Sequence, residues 1–420
     1  PPDGIHFKFL WGSWDLPDYY TFWGERGSKE GQFNIPAGIT ADSDGFVYVV
    51  DRDNNRVQKF DLDRYHQRMW GGGVASGTDT HELCAGFCRA GTYGDNDGQF
   101  DQPQGIAVDS SNYLYVVDTN NHRIQKFTSS GSYLMQWGGL GTTVGLFEYP
   151  NWIAVDNYDN VYVVDQGNYR IQKFDSSGAF ISMWGWGVAG GSGLETCTSS
   201  CCPGISGSGA GQFESAQGIA ANSGDLVFVA DSTHNNIQVF DLDGNYQYAF
   251  GVIGDGEGQF NEPIGVAADN EGRIYVADKG NDRVQNLEAD GTFLSQWGRT
   301  GSFPDEFDQP AGIAIDSNGY VLITEQLNQR VQEFRVTILT LSDPADPDAG
   351  VDPDIRFTGT TGSYKVTELD TNPGWRLKSI ACETDQTGDD PVIESPVVYF
   401  NLDRDENITC TLSLIHISEP

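Results

Sequence analysis

A carboxylate followed at short, fixed spacing by an amide and a guanidinium recurs along this chain of 420 residues. The pattern Asp-x2-Asn-x-Arg is complete at Asp51, Asn54 and Arg56, at Asp118, Asn121 and Arg123, at Asp165, Asn168 and Arg170, and at Asp278, Asn281 and Arg283. Glu325, Asn328 and Arg330 repeat it with the longer acid. After Asp231 the amide becomes His234 and the guanidinium becomes Asn236, while His122 directly precedes Arg123. Such a set can cap a turn and close an ion pair, or it can offer charged donors to a ligand. Repetition at equivalent positions argues for the cap, because a catalytic site is ordinarily made by one unequal copy. The copy with His234 is unequal. The residues offered to a ligand are Arg56, Arg123, Arg170, Arg283, Arg330, His122 and His234.

Seven cysteines form local groups: Cys84 with Cys88, Cys197 with Cys201 and Cys202, and the separated Cys382 and Cys410. The first two groups sit in related segments, WGGGVASGTDTHELCAGFC and WGWGVAGGSGLETCTSSCC. Disulfides Cys84–Cys88 and Cys197–Cys201 would pin these Gly-rich loops by restricting the unfolded chain. The sharper alternative is a four-thiolate zinc site made by Cys84, Cys88, Cys197 and Cys201. Paired spacing, low Lys content and abundant Asp suit an oxidising, extracellular setting, which favours disulfides. Cys202 is then the odd thiol, free or an alternative partner of Cys197.

Other motifs are weaker. GWGVAG at 185–190 matches G-x-G-x-x-G, but no helix follows and no βαβ unit surrounds it. The acidic turns Asp95–Gly98, Asp241–Gly244 and Asp403–Asn407 offer oxygens to calcium, yet none has the complete EF-hand spacing. Solvated turns with weak Ca²⁺ affinity are the expectation, and no other cofactor is expected.

The elements that position these residues repeat. An aromatic residue followed by Gly closes each unit at Trp23, Trp70, Trp137, Trp184, Phe250 and Trp297, at intervals of 47, 67, 47, 66 and 47. Removing insertions of 20 and 19 leaves a uniform period of 47. Each unit reads as four short strands separated by Gly, Asn and Asp turns, as in GIAVD, YLYVVD, RIQKF and YLMQW over 105–137. The second strand is apolar without alternation, which demands burial on both faces. Sheets stacked radially, each between two neighbours, meet that demand: a β-propeller. The last unit lacks a fourth strand, since its place falls at Pro344 in SDPADPDAGVDPD. Residues 19–23 (YYTFW) lie one period before Trp70 and are expected to close the ring, in preference to the competing stretch 7–11.

These units resemble NHL repeats, whose P-x-GIAVD…VVD-x2-N-x-R-IQKF signature is matched over about residues 19–335. The resemblance implies a six-bladed propeller. It also brings two activities to weigh. Peptide-amidating lyases of this kind use a histidine-bound metal at the central channel, but no first strand here carries a histidine. Animal NHL proteins of the tripartite-motif kind bind RNA through basic faces, whereas this chain carries a net charge of −36. Beyond the propeller, GSYKVTE, GWRLKSIAC, VVYFNL and ENITCTL resemble the prealbumin-like domains of secreted bacterial surface proteins. That resemblance implies a Cys382–Cys410 disulfide near strand ends, pairing across two sheets.

The expected fold class is all-β, a six-bladed β-propeller plus a small C-terminal β-sandwich. The expected organisation is an N-terminal extension over 1–18, the propeller over 19–338 with insertions 71–97 and 185–210, and an Asp/Pro-rich linker over 339–356. A prealbumin-like sandwich over 357–412 follows, with a tail over 413–420 that resembles adapter read-through and is read as non-native. The chain opens at Pro1 with neither a charged nor an apolar leader, so any signal peptide is expected to be missing or already removed.

In a four-strand meander the Asp-x2-Asn-x-Arg turns and both insertions share one face of the disc. The turns of His122 and His234 lie two blades apart, ~17 Å at a radius of ~10 Å, whereas zinc needs donors at ~2.0–2.3 Å. They cannot share an ion, and each reads as a solvated turn residue. His66 falls in a turn on the opposite face, and His6 and His416 lie outside the blades. The charge repels phosphates, so no nucleic-acid partner is expected, and no apolar run is long enough to cross a bilayer. The expectation is therefore a secreted or cell-surface bacterial protein, monomeric and non-enzymatic, that binds a protein or glycan by the insertion face. The alternative is a metal-dependent lyase or hydrolase acting at the channel.

Overall fold

The computed structural model describes the backbone of residues 7–9, 18–335, 340–341, 354–358, 362–367, 375–384, 392–394, 397–402 and 407–416, with side chains for 21–334. Six antiparallel sheets are arranged in a closed ring. Their first strands are Pro36–Ala41, Pro103–Val108, Pro150–Val155, Ala216–Ala221, Pro263–Ala268 and Pro310–Ile315. Each contacts the first strand of the next blade, and the sixth contacts the first. The protein is a six-bladed β-propeller. Its sixth blade is completed by Asp18–Trp23, which lies beside Arg330–Arg335 at the outer edge. The competing stretch Phe7–Phe9 pairs instead with Thr340–Leu341 and Val366–Thr367.

The burial of the second strands explains their sequence. Val47 to Asp51, Leu114 to Asp118, Val161 to Asp165 and Ile274 to Asp278 are buried at every position. Successive side chains of a strand point to opposite faces. Accordingly Val47 and Val49 pack with Ala314, Leu322 and Val331 of blade 6, while Tyr48 and Val50 pack with Ile106, Leu114 and Val116 of blade 2. Both faces are core, so alternation has no place.

The aromatic-Gly closure also has a steric cause. Gly138 has φ 112°, and a Cβ there would lie 2.8 Å from the Phe147 ring and 2.9 Å from Arg123 Cα. Only glycine lets the fourth strand leave its blade at this angle.

One expectation needs correcting. Blades 1 and 3 have five strands rather than four, because each insertion folds back as an extra edge strand. His81–Cys84 pairs with His66–Gly72, and Leu194–Cys197 pairs with Phe180–Trp186. The inserts are thus ordered extensions of the outer rim, not loops merely pinned by a disulfide.

The C-terminal strands form a separate unit. One sheet has the order Thr340–Leu341, Phe7–Phe9, Gly362–Thr367, Val397–Leu402, Val392–Glu394, and a second has Asp354–Thr358, Asn407–His416, Trp375–Thr384. Backbone register sets Cys382 opposite Cys410 near the ends of neighbouring strands, as expected, but within one sheet rather than across two. The expected disulfide itself lies outside the described side chains, as does His416, and His6 and residues 403–406 lie outside the described residues.

Candidate functional site

Each Asp-x2-Asn-x-Arg segment makes one turn of 3₁₀ helix after the second strand, followed by a residue in the left-handed region: Asn55 at φ 47°, His122 at 54°, Tyr169 at 52° and Asp282 at 51°. That residue links blades. The Gln102 amide donates to Asn55 Oδ1 at 2.9 Å, Tyr149 to His122 Nδ1 at 3.0 Å, and Glu262 to Asn235 Oδ1 at 2.8 Å. Gln309 donates to Asp282 Oδ1 at 2.9 Å, and Ile35 to Gln329 Oε1 at 2.6 Å, which ties the last blade to the first. His122 also sets its ring edge-on to Tyr149, 4.7 Å between centroids, and burial lowers its pKa against the opposite pull of Glu148. Its place in the fold is that of an inter-blade brace.

The arginines are interior. Arg56 and Arg170 are 0% exposed, and Arg123, Arg283 and Arg330 only 5–6%. In four blades Nε donates to the turn carboxylate at 2.7 Å, and Arg330 pairs likewise with Glu325. The rest of each guanidinium is spent on carbonyls of the loop that precedes the same blade. Arg56 reaches Ser28, Lys29 and Gln32 at 2.7–2.8 Å. Arg170 reaches Thr142, Thr143 and Leu146 at 2.7–3.0 Å. Buried polar loop backbone must be satisfied, and one planar five-donor group does so for a whole loop. These five residues are buried and spend their guanidinium donors within the fold rather than on the surface.

Blade 4 departs from this scheme. Asp231 is 0% exposed and accepts His234 Nδ1 at 2.9 Å, while His234 Nε2 lies 3.4 Å from Glu214. The imidazole replaces the missing amide and bridges two carboxylates. From there a polar chain runs to the axis. Ser215 donates its amide to Asp231 at 3.2 Å, and its Oγ is met by Ser232 at 3.1 Å, Gln166 at 3.1 Å and Gln217 at 3.2 Å. Gln217 accepts from Asn151, which is 3% exposed.

At the axis the first strands meet through glycine. A Cβ on Gly265 would lie 2.1 Å from the Ala311 carbonyl, and one on Gly218 would lie 1.9 Å from that of Ile264. Blade 3 breaks this rule with Trp152, which is 6% exposed and shares a buried cluster with Ala216, Ile264 and Ala311 of the next three blades. Trp152 thus belongs to a core that draws on the first strands of four successive blades. The first strands carry the amides Gln104, Asn151 and Gln217 and no histidine. That donor set does not fit a histidine-bound metal.

The insertions carry disulfides Cys84–Cys88 and Cys197–Cys201, so these four sulfurs are not zinc thiolates. Cys202 is exposed and outside a disulfide. Both inserts are anchored to the turn face, the Gly91 amide donating to Asn54 O at 2.7 Å and that of Gly204 to Asn168 O at 2.8 Å. Glu82 caps the first insert. Burial works against its charge, but bonds from Ser76 Oγ and from the Ser76 and Ala75 amides hold the carboxyl at about 2. Between the disulfide sulfurs, Phe87 is 99% exposed at φ 57°. His81, Asp79 and Asp95–Asp97 line an open hollow of about 640 Å³ beside it in sequence.

The acidic turns have other uses. Asp95 and Asn96 give their carbonyls to Arg123, and Asp241 caps its own turn by accepting the Asp243 and Asn245 amides at 3.0 and 2.9 Å. His66 begins the fourth strand of blade 1, edge-on to Phe60, where burial and the Arg56 charge lower its pKa to about 4.

NHL repeats are recognised over residues 33–60, 100–127, 213–240 and 260–286, in blades 1, 2, 4 and 5. The Drosophila melanogaster protein brain tumor is 46% identical over 54 residues, 13% of this chain and 5% of its own length. Peptidyl-glycine alpha-amidating monooxygenase A of Xenopus laevis is 32% identical over 108 residues, 25% of this chain and 10% of its own length. The chain thus spans about a tenth or less of these two relatives. A solved streptogramin B lyase is 13% identical, with 78% of this chain and 100% of that one covered at a TM-score of 0.47. A likeness of that size carries no argument about chemistry. The fold is a six-bladed β-propeller, and four of its blades match the NHL repeat.

Proposed function

We propose that this propeller is a non-enzymatic binding or scaffold module, secreted or displayed at a cell surface, that engages a protein or glycan through the insertion of blade 1. The observation that carries this reading is Phe87. A five-residue disulfide ring, Cys84 to Cys88, holds it in a left-handed conformation that large side chains ordinarily avoid, with its aromatic ring wholly in water. The ring is fixed from below, since the Cys88 amide donates to Glu30 and that of Arg89 to Val74 O at 3.0 Å. A rigid, exposed aromatic flanked in sequence by Leu83 and Tyr93, 40% and 74% exposed, has the makings of an interface anchor. The equivalent position in blade 3 is Ser200 at φ 55°, so the two arms share a shape and differ in what they present. Channel chemistry of the histidine-bound kind has less support, because Trp152 replaces the glycine of the other first strands and none of those six strands carries a histidine. The net charge of −36 speaks against nucleic-acid partners.

The test is Phe87→Ala beside Ser200→Ala, measured against a ligand identified with the wild-type propeller. Phe87→Ala is expected to weaken binding tenfold or more at unchanged melting temperature, and Ser200→Ala to leave it alone. Equal affinity in Phe87→Ala overturns the reading.

A further inference from the structure

Five blades place a guanidinium in the same cradle, and the sixth copy of the cradle lacks one. In blades 1, 2, 3, 5 and 6 the cradle consists of the turn carboxylate and three loop carbonyls, lying 28, 27 and 24 residues before the arginine. For Arg123 these are Asp95, Asn96 and Gln99 at 2.6–3.0 Å. For Arg330 they are Ser302, Phe303 and Glu306 at 2.8–2.9 Å. In blade 4 the arginine position is Asn236, and the carbonyls in question belong to Ser208, Gly209 and Gln212.

The loop has kept its shape without the arginine. The Gln212 amide donates to Gly209 O at 2.9 Å, as Gln99 does to Asn96 O at 3.0 Å and Gln259 to Gly256 O at 3.1 Å. Gln238 donates to Gln212 O at 2.6 Å and accepts from the Gly211 amide at 2.8 Å, matching Gln125 with Gln99 O at 2.6 Å and Gly98 at 2.8 Å. Strand register is also unchanged, with Asp231 opposite Asn236 as Asp118 is opposite Arg123. The Gly209 and Gln212 carbonyls are therefore held by the same bonds as their counterparts in the other blades, while Asp231 exchanges its glutamine donor for His234.

Two further observations point to a ligand. Asn236 Oδ1 is buried with no hydrogen-bond partner, an acceptor without a donor beside a fully buried carboxylate. The way in is open as well. In blades 1 and 3 the guanidinium is covered from the fourth strand by Met69 and Met183, at 3.1 and 3.3 Å. The strand register puts Ala249 at that place in blade 4, and Ala249 is exposed.

We propose that blade 4 carries a binding socket for a guanidinium cation, such as an arginine side chain, held by Asp231 and the carbonyls of Ser208, Gly209 and Gln212. The planar fork matches this set of oxygens because the same set already binds it five times in the molecule. The inference stands independently of Phe87 and of the insertion of blade 1.

The probe is methylguanidinium at low millimolar concentration, followed by ligand-observed NMR and thermal shift on the full chain. N-acetyl-arginine amide and the tripeptide Gly-Arg-Gly separate a free guanidinium from a peptide-borne one. Saturable binding is expected from methylguanidinium and not from methylammonium. Asn236→Arg installs a side chain in the socket, so it is expected to fold, to melt higher than wild type, and to reduce methylguanidinium binding at least tenfold. Ala249→Met should weaken binding by narrowing the entry while leaving every oxygen in place. Binding that survives Asn236→Arg, equal binding of methylammonium, no binding of any guanidinium, or calcium held at the site without competition from methylguanidinium would each overturn the proposal.

Discussion

Arg170 is the natural place to test whether the repeated turn is structural. It is 0% exposed, donates Nε to a carboxylate that is also 0% exposed, and satisfies the carbonyls of Thr142, Thr143 and Leu146. Arg170→Asn is the replacement that blade 4 carries at its own position. It leaves Asp165 with neutral donors only: the Glu148 amide at 2.8 Å, Asn168 at 3.0 Å and Gln172 at 2.9 Å. Breaking a buried pair by removing one partner costs about 3–5 kcal/mol, because the remaining charge is uncompensated. At ~2 °C per kcal/mol for a domain of this size, the melting temperature should fall by about 6–10 °C. The assay is calorimetry beside urea unfolding, with Arg170→Asn/Asp165→Asn as the second arm. Removing the stranded charge should recover part of the loss. A fall below about 2 °C, or a double variant worse than the sum of the singles, would refute the reasoning that these arginines are spent on the fold.

Three further outcomes are expected. Gly265→Ala drives a Cβ to 2.1 Å from the Ala311 carbonyl, backbone of the next blade that cannot swing aside, so unfolding should move to lower urea by several kcal/mol, about 3 or more. Cys84→Ser/Cys88→Ser opens a ring of sequence separation 4, worth about 2 kcal/mol in chain entropy; limited proteolysis should cut within 73–97 while the propeller's main transition falls by no more than about 4 °C. His66 is neutral in the fold, with its pKa lowered to about 4, while unfolded imidazole titrates near 6.5. Its contribution to stability is therefore complete above pH 6.5 and is lost as pH falls from there through 4. After allowance for its partial exposure the loss is about 1–2 kcal/mol, and His66→Phe should flatten that part of the stability profile; an unchanged profile would refute the assignment.

Much of this protein is written in local sequence. The period of 47, the unalternating second strands and the aromatic-Gly closures are short-range facts, and each reflects a contact made again in the neighbouring blade. The closing role of 19–23 followed from the same arithmetic. The extra edge strands were less legible, because HELC and LETC are short and flanked by Gly and Thr, and their pairing depends on a partner strand already fixed at the rim. Trp152 showed in the sequence only as a departure from P-x-G. Its effect depends on which side chains meet across the axis, and that is set by ring closure.

The arginines divide the two kinds of information most clearly. From sequence, repetition favoured the cap but left the surface-donor reading open, since spacing fixes where a side chain starts and not what surrounds it. Burial decided the matter, and burial is a property of the loop that folds over each guanidinium from 24 to 28 residues upstream. The sequence by itself determined that one copy in six differs, with His234 and Asn236. Only the tertiary structure showed that the loop over that copy keeps its shape, because the Gln238 bonds that hold it do not need the arginine.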